Sequence, residues 1–316
     1  MAKAACDEAE FIRLFEANGA AETARILGVG VRNVNYRRRN IERSNSVQLR
    51  SPATNSPDRL SAQHPARIKM EMNTGVVLIG SDAHYWPGHI STAHKAFCLM
   101  AAELKPQILI MNGDVVDGAS ISRHPPMGWE ELPSVNEELE TCRERLDEIR
   151  KAAPKKCAFT WTLGNHDQRF EARLAASAPE YARVTGIHLK DHFGIEWVPC
   201  WSTWINDEVV VKHRFRSGVH ATHNNTVNAG KSMVTGHLHS LKVTPFSDYN
   251  GTRYGVDTGT LAEPDGPQFE YGEDNPKNHR SGFVALFFEQ GRLLWPQICH
   301  VLEPGLVEFR GETFRV

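Results

Sequence analysis

Two continuous apolar runs constrain this chain most: GVVLIG at Gly75–Gly80 and QILIMN at Gln107–Asn112. Runs without polar alternation suit strands that are covered on both faces. Ser91–Leu104 between them reads as a helix, and Leu139, Cys142, Leu146 and Ile149 fall at helical spacing in another. A third strand is expected at Cys157–Leu163. After Trp197 the helices thin out. Short strands are expected at Glu208–Lys212, Ser232–Thr235, Leu241–Pro245, Arg253–Asp257, Gly282–Phe288, Arg292–Trp295 and Leu306–Phe309. A β/α first half and a β-rich second half predict an α/β fold: two packed mixed β-sheets flanked by helices.

The ends of these strands carry the chemistry. Asp82-Ala83-His84 follows the first run, and Gly113-Asp114-Val115-Val116-Asp117 the second. Gly164-Asn165-His166-Asp167 follows the third strand, His213 ends the fourth, and Gly236-His237-Leu238-His239 follows the fifth. Ligands bind at the carboxyl ends of strands in open α/β sheets, so five ordered motifs there weigh far more than any one alone. Their Asp, Asn and His side chains are oxygen and nitrogen donors with no thiolate among them, which suits Mn, Fe or Zn. Seven such donors exceed one tetrahedral ion and suit two ions sharing a bridge. A pair of that kind holds both oxygens of an in-line phosphoryl displacement and supplies hydroxide near neutral pH.

The series D-x-H, GDxxD, GNHD, H and GHxH resembles the calcineurin-like metallophosphoesterase superfamily, from about Gly75 to His239. The resemblance implies a dinuclear site. Asp82, His84 and His239 would hold one metal, Asn165, His213 and His237 the other, and Asp114 would bridge them. His166 would be the general acid, oriented by Asp117. The glycines before Asp114, Asn165 and His237 suit sharp turns where a side chain would crowd the metals. Two positions depart from the pattern. Arg214 stands where Gly usually follows the fourth-motif histidine, with His220 and His223 close by as rival ligands. Gly118 stands where the protein-phosphatase branch has Arg, which argues against protein dephosphorylation.

Several neighbours have two readings. Asp167 and Arg169 are catalytic helpers or, by preference, an ion pair steadying the turn. Tyr85 and Trp86 stack on a base or pack at the rim. His124 faces substrate or solvent, and the polar, aromatic stretch from Gln268 to Arg280 is a loop that would cover the site mouth. Gly230-Lys231-Ser232 is a decoy for a phosphate loop, because Asn225 stands where that motif needs Gly.

Charge separates the head from the body. Residues 1–70 hold 12 Lys and Arg against 7 Asp and Glu, or +5, and the remainder 24 against 31, or −7. The head reads as helical, with a stop at Asn18-Gly19, a short helix over Ala20–Leu27, a turn at Gly28–Gly30 and a helix from Val31 to Arg43. Thr23–Val29 followed by Val34 resembles the helix-turn-helix of small DNA-binding modules. In that likeness Arg32, Asn33, Arg37, Arg38 and Arg39 would face DNA. Gly30 replaces the usual Ser or Thr cap, at a cost of about a few tenths of a kcal/mol. The other reading is a basic bundle that docks on protein. Ser44–Pro65, rich in Ser, Asn, Pro and Gln, reads as a linker. The expected organisation is a small all-α helix-turn-helix module at 1–43, a linker at 44–67 and a metallophosphoesterase domain at 68–316.

Composition excludes some classes. At 41% hydrophobic and 23% charged residues the chain is neither disordered nor fibrous. No apolar stretch approaches the ~20 residues of a membrane span, and the start has no signal core. Cys6, Cys98, Cys142, Cys157, Cys200 and Cys299 contain no CxxC and are expected reduced, in the cytoplasm. Joining a helix-turn-helix to a metallophosphoesterase resembles phage-type proteins, for which that compartment is the host's. The expected function is a DNA nuclease: a phosphodiesterase using two divalent ions, Mn²⁺ first, with Fe, Zn or Mg as alternatives. One rival is hydrolysis of small nucleotides, with the head used for assembly or regulation. Another is a DNA-binding regulator on an inactive scaffold, against which the intact donor set counts.

Overall fold

The computed structural model describes residues 6–45, 47, 49, 66–124 and 131–316. The chain divides into two compact units, Met1–Pro65 and Ala66–Val316. Most of the stretch read as a linker lies outside the described residues.

In the first unit, α1 (Glu8–Leu27) begins on Asp7, whose carboxylate accepts from the Glu10 amide at 2.7 Å. Its helical geometry breaks at Gly19 (φ 75°), where the sequence predicts a stop, and Gly28 ends it in the left-handed conformation. The helix α2 (Val31–Asn45) follows. Phe11, Phe15, Ala24, Val34, Ile41 and Leu49 form the small core.

The second unit packs two mixed sheets. One has six strands in the order β1 (Arg67–Met70), β6 (Ser202–Ile205), β7 (Val209–Val211), β8 (Ser232–Thr235), β10 (Gly251–Asp257) and β9 (Lys242–Asp248). The other runs β15 (Glu312–Arg315), β14 (Leu306–Phe309), β13 (Gln297–Glu303), β11 (Gly282–Glu289), β2 (Gly75–Gly80), β3 (Ile108–Met111), β4 (Ala158–Thr162) and β5 (Val198–Cys200). The short β12 (Arg292–Leu293) pairs with β11. Burial on both faces explains the unbroken apolar runs. Val77, Ile79, Ile108 and Ile110 meet Val209, Val211, Val234 and Val256 between the sheets. Leu78, Leu109 and Met111 face α3 (Thr92–Leu104) and α4 (Val135–Ala152) through Phe97, Leu139, Cys142, Leu146 and Ile149.

Seven further strands and α-helices among the described residues go beyond the expectation. The strands β1, β5, β6, β13 and β15 join the sheets, α5 (Asp167–Ser177) follows the third motif, and α6 (Ala221–Ala229) packs on β8, β9 and β10. With the sequence ATHNNTVNA, α6 has no apolar stripe to announce it. Gly230 is its left-handed C-cap, consistent with rejecting the phosphate-loop reading. No helix among the described residues is long and apolar enough to cross a membrane, and all six cysteines are free.

Candidate metal centre

Parallel pairing brings the motifs together. β2, β3 and β4 run parallel, so Asp82, Asp114 and Asn165 emerge at one edge of their sheet. β7 and β8 also run parallel, and they deliver His213, His237 and His239 to the same place. The two edges interlock directly. The His237 amide donates to both Asp82 oxygens at 2.9 and 3.1 Å, and His239 Nε2 lies 3.0 Å from Asp82 Oδ1.

Three groups of ligand-type atoms lie within 4.8 Å of one another: Asp82, His84 and His239; Asp114, His213 and His237; and His84, Asp117 and His166. The first contains the three residues expected around one metal, and the second joins Asp114, expected as the bridge, to His213 and His237 of the other set. Asn165 lies between Gly164 and His166, both of which abut the Asp114 carboxylate. His213 sits in the cluster with its Nε2 3.0 Å from Asp114 Oδ2, whereas His220 is exposed at the start of α6 and His223 packs on Phe246. A Cβ on Gly113 would overlap the His213 ring, one on Gly164 the Asp114 carboxylate, and one on Gly236 the Asp82 carboxylate.

The backbone is bent to aim these groups. Asp82, His84, Asp114, His237 and His239 all take positive φ, from 39° to 72°. Each such non-glycine residue costs on the order of 1–3 kcal/mol and persists only where its surroundings enforce it. The rings are held from behind. His84 Nδ1 pairs with Asp117 Oδ1 at 2.9 Å, and His213 Nδ1 donates to the Asn112 carbonyl at 2.7 Å. His84 Nε2 and Asn165 Oδ1 are left buried without a hydrogen-bond partner, and His213 Nε2 makes no aligned hydrogen bond although it lies 3.0 Å from Asp114 Oδ2. Orphaned buried donors and acceptors are rare, and such atoms around two aspartates fit divalent cations.

The electrostatics agree with that fit. Burial raises Asp82, but His239 and His213 outweigh it and hold the carboxyl down to about 2. Asp114 is likewise depressed, mainly by His213 against its burial. Burial lowers His213, but Asp114 and Asp82 lift it to about 10. Burial and the neighbouring imidazoles lower His84 and His237. Paired acids that stay ionised under burial are a sink for positive charge.

His166 Nδ1 lies 2.8 Å from the Asp117 carbonyl and 3.2 Å from its carboxylate. Burial lowers its pKa, but Asp117 and Asp114 prevail and raise it. Arg169 donates to the Asp117 carbonyl at 2.9 Å, and its Nη2 is 3.0 Å from His166 Nε2. The preferred Asp167–Arg169 ion pair does not form. Asp167 instead accepts from the amides of Asp114, Val115, Val116 and Gly164 and from Trp161 Nε1, at 2.8 to 3.2 Å. A buried carboxylate surrounded by five N–H groups satisfies them better than it would one distant guanidinium.

The other expected neighbours separate. Tyr85 is buried with its hydroxyl 2.9 Å from His94 Nδ1, so it packs and does not stack on a base, while Trp86 is half-buried. His124 is exposed. The 268–280 stretch closes one flank: Phe269 lies 5.4 Å from the His84 ring and 5.2 Å from that of His239. It also brings His279, which the sequence reading passed over, to 3.4 Å from His239 Nδ1. Burial and His239 depress the His279 pKa to about 4. A histidine inside a stretch expected to cover the site was the available signal.

On the head, Arg32, Asn33 and Arg39 are exposed on α2. Arg37 and Arg38 are turned to other work. Arg37 lies over Phe11 and donates to the Cys6 carbonyl at 2.6 Å, while Arg38 lies over Phe15 and 3.6 Å from Glu42. They pack over the rings of the small core, which removes them from the freely exposed set.

The fold and the site define a metal-dependent phosphoester hydrolase. Residues 75–252 match the calcineurin-like phosphoesterase family, and the chain belongs to it. Members of this family bind two divalent metals. No curated protein matches the chain. Similar solved structures include Vps29 from Entamoeba histolytica complexed with zinc, at 14% identity and TM-score 0.40, covering 76% of this chain and 98% of that one. Vps29 from Chaetomium thermophilum gives 9%, 0.41, 76% and 98%. A dimetal phosphatase from Danio rerio gives 10%, 0.36, 77% and 98%.

Proposed function

We propose that this protein is a two-metal phosphodiesterase that hydrolyses DNA and is brought to it by the N-terminal unit. The carrying observation is the pair of buried, unpartnered atoms, His84 Nε2 and Asn165 Oδ1, together with His213 Nε2 against Asp114, around the Asp82 and Asp114 carboxylates. In this reading Asp82, His84 and His239 would hold one ion, Asn165, His213 and His237 the other, with Asp114 contributing to both. Divalent ions bound there, Mn²⁺ foremost, would supply Lewis acidity and lower the pKa of water.

The protein's own groups do the rest. Asp117 fixes the tautomer of His166, so Nε2 is the atom that gives a proton to the leaving oxygen. Once His166 is charged, both it and Arg169 are donors, so Arg169 turns from Nε2 to the phosphoryl oxygens. Purified protein stripped by chelation and reloaded with Mn²⁺ should be offered linear duplex, circular single-stranded DNA and bis-p-nitrophenyl phosphate. Hydrolysis should vanish on chelation and return with about two ions per chain. Equal activity after exhaustive chelation would remove the mechanism.

A second reading, hydrolysis of small nucleotides with the head serving assembly or regulation, is favoured by the packing of Arg37 and Arg38 inside the head. It predicts turnover of mononucleotide esters and indifference to DNA.

A further inference from the structure

The loop that joins β7 to α6 begins at His213 in the metal cluster and continues as an exposed basic stretch, with residues 214–220 all exposed. Phe215 is 44% exposed and carries Lys212 Nζ at 5.3 Å and the Arg216 guanidinium at 5.6 Å from its ring centroid. Among the described residues no carboxylate pairs with Lys212, Arg214 or Arg216. The loop is nonetheless anchored at its middle and at its end. The Arg216 amide donates to Asn225 Oδ1 at 2.9 Å, and Lys242 Nζ to the Val219 carbonyl at 2.7 Å.

Three cations within three residues of His213 in the chain, none paired with a carboxylate, exceed what one phosphate needs, because bound metals and His166 would already meet the charge of the ester being cut. From Lys212 to Arg216 the chain reaches up to roughly 14 Å. A stacked helical strand advances about 3.4 Å per phosphate and an extended single strand more, so a loop of that reach can meet at least one or two neighbours of the scissile group. An exposed aromatic among the cations offers a face to an unpaired base. A nucleoside monophosphate has no further phosphates to offer these cations, and no mononucleotide carries a second base along the loop.

We propose that the Lys212–Val219 loop is the strand-binding element of this active site. Lys212, Arg214 and Arg216 hold phosphodiesters beside the one being cut, and Phe215 stacks on a base of a single-stranded stretch. This rests on the hydrolytic reading above and narrows its substrate to a polynucleotide strand.

The test uses the full chain with Mn²⁺ and a phosphorothioate-linked DNA hexamer as competitive inhibitor of bis-p-nitrophenyl phosphate hydrolysis. Cleavage of the ordinary hexamer is followed separately. In Arg214→Gln/Arg216→Gln the inhibition constant should rise about tenfold or more. The dependence of log Ki on log salt should flatten by about 1.4, at about 0.7 per lost single-strand contact. Phe215→Ala should weaken inhibition at least about fivefold. Arg214→Lys/Arg216→Lys should restore most of it, and kcat and KM for the small diester should stay within about twofold throughout. An unchanged Ki, or a Ki and small-diester KM that rise in step, overturns the proposal. If the hexamer inhibits but is never cut, the nuclease reading fails while the variants' Ki still decides the loop. If the small diester is not turned over, anisotropy of a labelled hexamer gives the same comparison, and equal affinity in wild type and variants overturns the loop.

Discussion

At the residue scale, Asp114 and His166 separate metal binding from proton transfer. Asp114 Oδ1 accepts from the His166 amide at 2.8 Å and Oδ2 faces His213, so one carboxylate ties three motifs together. Asp114→Asn should lower the content of both metals and abolish turnover, as read by elemental analysis beside activity. His166→Asn should keep its metals and lower kcat by about 10²–10⁴, the usual range for losing a general acid. If metal content falls in parallel with kcat, His166 is a ligand and its assigned role is wrong. These roles rest on contacts that a list of motifs does not contain, since Asp117 serves both His84 and His166.

At the element scale, α4 does more than cover a sheet. Ser134 caps it, with Glu137 returning the hydrogen bond, and the next residue, Glu138, turns inward. The Glu138 carboxylate is buried and accepts from the amides of Gly118 and Ala119 at 2.6 and 3.1 Å, bracing the turn after Asp117. Burial, reinforced by Asp117, raises its pKa from 4.5 to about 7. An acid whose pKa is higher folded than unfolded binds its proton more tightly in the native state. Its contribution to stability is therefore fully present below about pH 4.5 and is lost as pH rises through about 7. The total is about 3 kcal/mol at 1.36 kcal/mol per unit. Glu138→Gln should remove that fall, so urea unfolding should show the variant gaining on the wild type by up to this amount between pH 4.5 and 8. A difference independent of pH would contradict the assignment.

At the scale of the whole molecule, the proposed reading gives recognition to the first unit and chemistry to the second. With Arg37 and Arg38 packed on phenylalanines, the exposed arginines of α2 are Arg32, Arg39 and Arg43. If each neutralises one duplex phosphate, the salt slope they contribute is about −2.7, and a fourfold rise in salt weakens binding about 40-fold. A chain of residues 66–316 should lose that contribution, which salt-dependent duplex binding measures, and should keep its rate on a small diester. Unchanged duplex binding by the truncated chain would exclude the head as the DNA anchor.

The sequence by itself determined the sheet core, the order of the five motifs and the break at Gly19. Each is written within a few neighbouring residues: an unbroken apolar run, a glycine before a ligand-type side chain, or a glycine where a helix must stop. The strands β8 and β14 coincide with the residues expected for them. Tertiary structure alone decided which histidine near β7 enters the cluster, since His213, His220 and His223 differ little in local sequence but greatly in burial. It also decided that Asp167 gathers amides up to 53 positions away, that His279 reaches His239 across 40, and that Arg37 meets Cys6 across 31. α6 and the edge strand β15 depend on the sheets they lie against, having too little apolar pattern of their own. Local periodicity records which face a residue turns to the core. The partner waiting there is fixed only when chain segments far apart in sequence close on one another.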